Sequence, residues 1–100
     1  MGFSFRDFNS KIKTNGKNIK CLCLYDEHFI FVGCYDHTMK LVDIENEKVV
    51  KTFKGHKDWV CTINKVRHKK YGECIISAGL GKNEMIKIWI QNNCNDKDNK

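Results

Sequence analysis

The side chains with the greatest chemical potential are the thiols of Cys21 and Cys23, two positions apart in the run IKCLCLY. On an extended strand this spacing places both thiols on one face, about 7 Å apart. His28 follows closely in the sequence. Thiolate and imidazole groups are preferred zinc ligands, but a zinc site needs a second pair at a matching spacing. The sequence has no such pair, so we predict no metal site.

Two short stretches contain groups that bind phosphate in other proteins. The stretch GLGKN at residues 79–83 has glycines before a lysine, but it lacks the GxxxxGK[ST] spacing of a phosphate-binding loop. The basic stretch RHKKY at residues 67–71 could touch RNA or acidic lipid. A solvated hairpin loop is the commoner role of such a stretch. We therefore predict no cofactor.

The overall charge points to weak association with polyanions at most. The 100 residues include 18 Lys and Arg against 12 Asp and Glu, a formal charge of +6, and 16 of the 18 are Lys. Nucleic-acid binders tend to use the planar fork of Arg on bases and phosphates. A Lys excess spread over the whole chain favours a general compositional bias over a dedicated binding patch. Binding of polyanions through these lysines would be sensitive to salt.

The cysteines and the N-terminus predict an intracellular location, cytoplasmic or nuclear. Six cysteines occur, most of them inside apolar runs where a free thiol behaves as a small buried hydrophobe. The N-terminus MGFSFRDFNSK has no apolar signal-peptide core, and no apolar run approaches the roughly 18 residues of a membrane span. We expect reduced thiols and no membrane span.

Apolar runs separated by polar turns predict an all-β chain. The first group has strands at residues 19–25, 29–33, 38–44 and 48–53, and the second at 59–66, 74–78 and 85–90. The first two strands are apolar on both faces, so we expect both faces to be covered. Polarity rises toward the fourth strand, which should face water. A basic turn is expected at 67–72, and no fourth strand follows in the second group.

The two ends of the chain are less clearly patterned. Residues 1–18 predict either a frayed tail or an edge strand that pairs with an incomplete sheet. Residues 91–100 have almost no apolar content and predict a disordered polar tail.

The two strand groups align as copies of one repeat. Ile19 matches Val60, and Val42 matches Trp89, with the extra residues of the second copy confined to turns. On the runs GHKDWVCTI, ECIISAG and IKIW, residues 19–90 resemble the WD-repeat β-propeller family. The resemblance implies two antiparallel four-stranded propeller blades, at residues 19–54 and 55–90. The second blade is incomplete, with three strands.

The resemblance also implies a set of residues that braces each blade. In the family, a His of the Gly-His turn contacts a Ser or Thr on the second strand, which contacts a Trp indole on the third. An Asp in the turn between these two strands orients the His. His56, Ser77 and Trp89 match in the second copy, but Gly81 stands near the place of the Asp. The first copy keeps only the Asp, as Asp36.

Each copy thus keeps part of the set, and we expect weaker local stability than a full set would give. A Ser–His pair can also be catalytic, but here it lacks a nucleophile elbow and an oxyanion motif. We predict no catalytic residue and no enzyme activity.

Family members usually bind partners where the Gly-His turns and the second-to-third-strand turns cluster. Carried onto this chain, that surface includes Tyr35, His37, Lys57, Asp58 and Trp59, with Lys82 as a further candidate. Trp59 has no bracing role and is either a binding hot spot or packed between blades. The resemblance predicts a non-enzymatic protein–protein interaction scaffold. The alternative is a basic, RNA-binding WD-repeat protein.

Propellers close with roughly four to eight blades, and this chain holds about two. We expect either a piece of a longer product or a unit that associates with copies of itself or with another protein. An open blade pair would expose apolar strand faces, such as those of Leu22, Leu24, Phe29 and Phe31.

Overall fold

The computed structural model describes residues 2, 4–7, 9–79, 81 and 85–91 of the chain. The polar tail predicted for residues 91–100 lies outside this part, apart from Gln91. No helix within the described residues is long and apolar enough to cross a membrane.

Seven strands in the described residues form two antiparallel sheets, which confirms the predicted all-β fold. Blade 1 has the strand order β1-β2-β3-β4. Its strands are β1 (Ile19–Leu24), β2 (Phe29–Cys34), β3 (Met39–Asp43) and β4 (Lys48–Phe53). Blade 2 has the order β5-β6-β7. Its strands are β5 (Val60–His68), β6 (Gly72–Gly79) and β7 (Ile86–Ile90).

Two aspartates explain where the turns of blade 1 begin. The Oδ1 atom of Asp26 accepts hydrogen bonds from the backbone N–H groups of His28, at 2.8 Å, and Phe29, at 2.9 Å. Asp43 accepts in the same way from the backbone of Asn46, at 3.0 Å. Asp favours turns because its carboxylate replaces a backbone acceptor two or three residues away. These contacts reverse the chain after β1 and after β3.

The hairpin of β5 and β6 differs from the prediction. The predicted turn at 67–72 is only residues 69–71, because both strands continue to Arg67–Glu73 and His68–Gly72 pairs. The Arg67 guanidinium lies 3.7 Å from the Glu73 carboxylate across the ladder. Gly72 has a φ of +76°, a conformation that glycine adopts readily at a turn. The extra residues of the second copy therefore lengthen two strands rather than a loop.

The main core lies between the two blades. It contains Phe31 and Met39 of blade 1 and Val60, Ile63 and Ile75 of blade 2, all at most 6% exposed. The edge of this core is aromatic, with the Phe53 and Trp89 ring centroids 5.4 Å apart. Burial of such side chains is the main favourable contribution to stability and joins the two sheets.

A second cluster lies on the opposite face of blade 1, where the N-terminal segment covers it. Ile12 packs against the buried residues Val32, Cys34 and Val42. The carbonyl of Asn18 accepts a hydrogen bond from Tyr35 N–H at 2.9 Å. No strand occurs in the described residues of 1–18, so of the two alternatives left open for this segment, the edge strand does not form there. The segment crosses the face of the sheet instead, where the side chain of Ile12 packs and the backbone of Asn18 bonds to that of Tyr35.

The predicted burial of β1 on both faces is also wrong. Leu22 is 61% exposed and Leu24 is 73% exposed, as expected for an open blade pair. The alternate residues Cys21 and Cys23 pack against the core between the blades. Phe31, which was expected to be exposed, is 6% exposed because it faces blade 2. β1 is therefore covered on one side only.

Candidate protein-binding surface

The structure brings together the three bracing residues of blade 2. The Nε2 atom of His56 lies 2.7 Å from the Ser77 hydroxyl, and the Trp89 indole N–H donates to the same hydroxyl at 2.8 Å. Ser77 is completely buried and His56 is 8% exposed. A hydroxyl suits the central position because it both accepts and donates. The contacts tie the loop before β5 to strands β6 and β7.

The chemistry of this trio is structural. The Ser77 hydroxyl is bonded on two sides and has no exposed surface, so it is not placed to attack a substrate. Burial lowers the pKa of His56, and the nearby charge of Lys87 lowers it further. The imidazole is thus held neutral near pH 7. Within the described residues its Nδ1 atom has no hydrogen-bond partner.

Asp36 has a different structural role in blade 1. Its Oδ1 atom accepts hydrogen bonds from the Thr38 backbone at 3.1 Å and from the Thr38 hydroxyl at 2.6 Å. Its other oxygen lies 3.2 Å from the ammonium of Lys40, a side chain that is 7% exposed. Burial would raise the pKa of Asp36, but the Thr38 and Lys40 contacts outweigh it, and the pKa lies below its usual value. The carboxylate organises the β2–β3 turn.

The aromatic side chains of Tyr35 and Trp59 meet across the two blades. Their rings stack with centroids 4.4 Å apart and planes 23° from parallel. Tyr35 directly follows β2 and Trp59 directly precedes β5. Trp59 remains 36% exposed, so it packs between the blades and also faces solvent. We call these two residues the aromatic pair.

The other predicted surface residues differ in how exposed they are. His37, with a φ of 74°, and Lys57 are both exposed. Asp58 is half-buried, and its carboxylate accepts the Trp59 backbone N–H at 2.8 Å. A Cβ atom at Gly81 would overlap that carboxylate, so the backbone of Gly81 approaches Asp58 closely. Asp58 therefore supports Trp59, whereas Lys57 and His37 are free to meet a partner. The further candidate Lys82 lies outside the described residues.

A comparison with known protein families shows which family this chain belongs to. A family profile described as "Anaphase-promoting complex subunit 4 WD40 domain" matches residues 6–70. The chain belongs to this WD40 family. The predicted resemblance to WD-repeat propellers is thereby confirmed.

A solved structure shares the fold of this WD40 chain. The crystal structure of the computationally designed Ika4 protein superimposes with a TM-score of 0.61 at 19% identity. The match covers 86% of this chain and 49% of the designed chain, so the WD40 chain spans about half of that protein. At this identity the likeness concerns the fold alone. A comparison with curated proteins finds no match.

Two lysines of the WD40 blades were missed by sequence reasoning. Lys40 pairs with Val32 in blade 1, and Lys87 pairs with Ser77 in blade 2, so they occupy the same repeat position. Lys87 lies 5.4 Å from the centre of the Trp89 ring. A strand-by-strand alignment of the copies would have shown this repeated lysine, but each one alone resembles ordinary surface charge.

The remaining candidate sites have ordinary surroundings. In the described ranges, no group of three or more His, Cys, Asp or Glu side chains is arranged to hold a metal ion. Burial raises the pKa of Cys21, which keeps its thiol protonated. In the basic hairpin, Tyr71 stacks on His68 with centroids 4.9 Å apart, and Lys70 lies 5.3 Å from the Tyr71 ring. These contacts order the turn through its own side chains.

Proposed function

We propose that this WD40 chain is a non-enzymatic scaffold that binds a partner protein at the aromatic pair. The observation that supports it best is the stacked arrangement of Tyr35 and Trp59, which leaves 36% of Trp59 in solvent. Tryptophan and tyrosine are enriched among the residues that contribute most to protein interfaces. The family description names a subunit of a multiprotein complex, which is consistent with this role.

The aromatic pair is suited to binding because it is held in place before a partner arrives. Each blade contributes one ring, and Asp58 holds the backbone of Trp59. A preordered surface loses less conformational entropy on association than a mobile one. Lys20, 6.0 Å from the Tyr35 ring centre, and the exposed Lys57 add positive charge. We expect a partner segment with a flat apolar side chain flanked by acidic residues.

We further propose a location in the cytoplasm or nucleus. The support is that five cysteines in the described part of the chain are free thiols, and two of them are buried. Reduced thiols of this kind are typical of compartments that glutathione and thioredoxin keep reducing.

The test is selection of peptides from a displayed random library with the 100-residue chain as bait. Binding of each selected peptide is then measured by fluorescence polarisation for the wild type and for Trp59→Ala. We expect the variant to weaken binding about 30-fold, the equivalent of roughly 2 kcal/mol. Trp59→Phe, which retains a ring that can stack, should lose much less.

The control is the double variant Lys69→Ala/Lys70→Ala, which removes charge from the distant hairpin and leaves the aromatic pair intact. Circular dichroism melting of every variant checks that the fold persists. The proposal fails if selected peptides bind Trp59→Ala as well as the wild type. It also fails if the hairpin variant and moderate salt abolish binding, since that result indicates a general basic surface.

A further inference from the structure

The blade pair has two exposed apolar faces on opposite sides. On blade 1, Leu22 is 61% exposed and Leu24 is 73% exposed. On blade 2, Ile86, Ile88 and Ile90 are 71%, 61% and 48% exposed. Each set alternates along its strand with residues that face the core between the blades. We call the two sets the blade 1 open face and the blade 2 open face.

The blade 1 open face is equivalent to a surface that is already buried within the chain. Leu22 pairs with Val32 at the position where Ile63 pairs with Ser77 in the next repeat. Ile63 is 5% exposed because it packs in the core between the blades. Leu22 therefore belongs to the face that, in blade 2, packs against a neighbouring blade.

The blade 2 open face is equivalent to the other surface buried within the chain, the one that blade 1 contributes. Ile88 pairs with Ile76 at the position where Leu41 pairs with Phe31 in blade 1. Phe31 and Leu41 belong to the face of blade 1 that packs against blade 2. The two open faces are thus equivalent, repeat for repeat, to the two faces that pack together inside the chain.

The N-terminal segment is compatible with such packing. An ideal Cβ atom at Gly16 would lie 3.0 Å from the side chain of Lys40, and one at Gly55 would lie 2.8 Å from the equivalent Lys87. The backbone around Gly16 therefore crosses blade 1 where the Gly-His loop crosses blade 2, and Ile12 covers Val32 and Val42 on the same side of the sheet. That loop lies beside the packed interface without preventing it. The segment leaves Leu22 and Leu24 uncovered.

We propose that the blade 2 open face of one copy packs against the blade 1 open face of another, repeating the interface inside the chain. The two surfaces differ, so the contact is heterologous, and it forms a closed ring when the rotation between copies allows. Propellers close with roughly four to eight blades, which corresponds to about two to four copies of this pair. The proposal does not depend on partner binding at the aromatic pair.

The test measures the native mass of the 100-residue chain by light scattering on a sizing column. One chain has a mass of 11.7 kDa, and we expect the wild type at a discrete multiple of about two to four. Leu24→Asp charges one open face and Ile88→Asp charges the other. Each variant alone should fall to the mass of one chain. The matched control is Val50→Asp, at an exposed bulge in β4 away from both faces, which should keep the wild-type mass.

A mixture of the two variants separates a heterologous contact from a symmetric one. The Leu24→Asp copy retains its blade 2 face, and the Ile88→Asp copy retains its blade 1 face. A concentrated equimolar mixture should therefore form a two-chain species that cannot grow further. A wild type of one-chain mass overturns the proposal. Assembly that resists either charged variant, or a mixture that stays at one-chain mass, also overturns it.

Discussion

Ser77→Ala is the sharpest test of how the second blade is held together. The substitution removes one buried oxygen that bonds to His56 at 2.7 Å and to the Trp89 indole at 2.8 Å. A buried polar group left without a partner costs about 1–3 kcal/mol. The Trp89 side chain is only half-buried, so its N–H can recover part of this loss from water. We expect a decrease of roughly 2–4 kcal/mol in the free energy of unfolding.

The assay is urea unfolding at pH 7.5 and at fixed protein concentration, followed by tryptophan fluorescence and circular dichroism together. The informative control is the same substitution in a Trp89→Phe background. Phenylalanine has no N–H group that could lose a hydrogen-bond partner. Ser77→Ala should therefore cost about 0.5–1.5 kcal/mol less in the Trp89→Phe background.

An effect below about 0.5 kcal/mol in the wild-type background would refute the reasoning, since surface substitutions commonly reach that size. Equal effects in both backgrounds would show that the Ser77–Trp89 hydrogen bond contributes nothing. The effect of Ser77→Ala would then come from the loss of its contact with His56.

Three further predictions concern the His56 imidazole, the backbone at Gly16 and the Asp36–Lys40 pair. Because burial and a neighbouring lysine lower the pKa of His56 below its usual 6.5, stability should be full above that pH and fall below it. Urea unfolding at pH 5.5 and 7.5 should show this slope, and His56→Gln should reduce it. Gly16→Ala would bring a Cβ atom within 2.5 Å of a buried thiol and should cost about 1–3 kcal/mol, whereas Gly2→Ala, with open space around it, should cost nothing by thermal unfolding. Asp36→Ala leaves the buried Lys40 ammonium unpaired and should cost about 2–4 kcal/mol, measurably more than Lys40→Met in the same denaturation assay.

The strand pattern and the family resemblance were sufficient to predict the blades and to select His56, Ser77 and Trp89. These features depend on local periodicity and on residue types at repeat positions. The stacking of Tyr35 on Trp59 could not be predicted in this way. It depends on how blade 2 is placed against blade 1, and both packing and exposure were compatible with an isolated tryptophan.

The errors in the prediction have a common physical cause. Leu22 and Phe31 both lie in apolar strands, and period-two alternation places them on different faces without showing which face meets the second blade. The path of residues 9–18 is likewise set by tertiary contacts, such as the close approach of Gly16 to Cys34. Nothing in the polar run KTNGKN distinguishes a segment that crosses a sheet from a free tail.

The division of bracing residues between the blades shows how a degenerate repeat remains folded. Blade 2 keeps the neutral network around Ser77 but has glycine where the family has an aspartate, and His56 Nδ1 has no partner within the described residues. Blade 1 keeps that aspartate but has valines at the Ser and Trp positions. There Asp36 pairs with Lys40 instead, so its carboxylate is not left unpaired. Lys40 and Lys87 hold the same repeat position but have different surroundings. Lys40 is a counter-ion in blade 1, whereas in blade 2 the charge of Lys87 adds to the effect of burial, which is the main cause of the lowered pKa of His56.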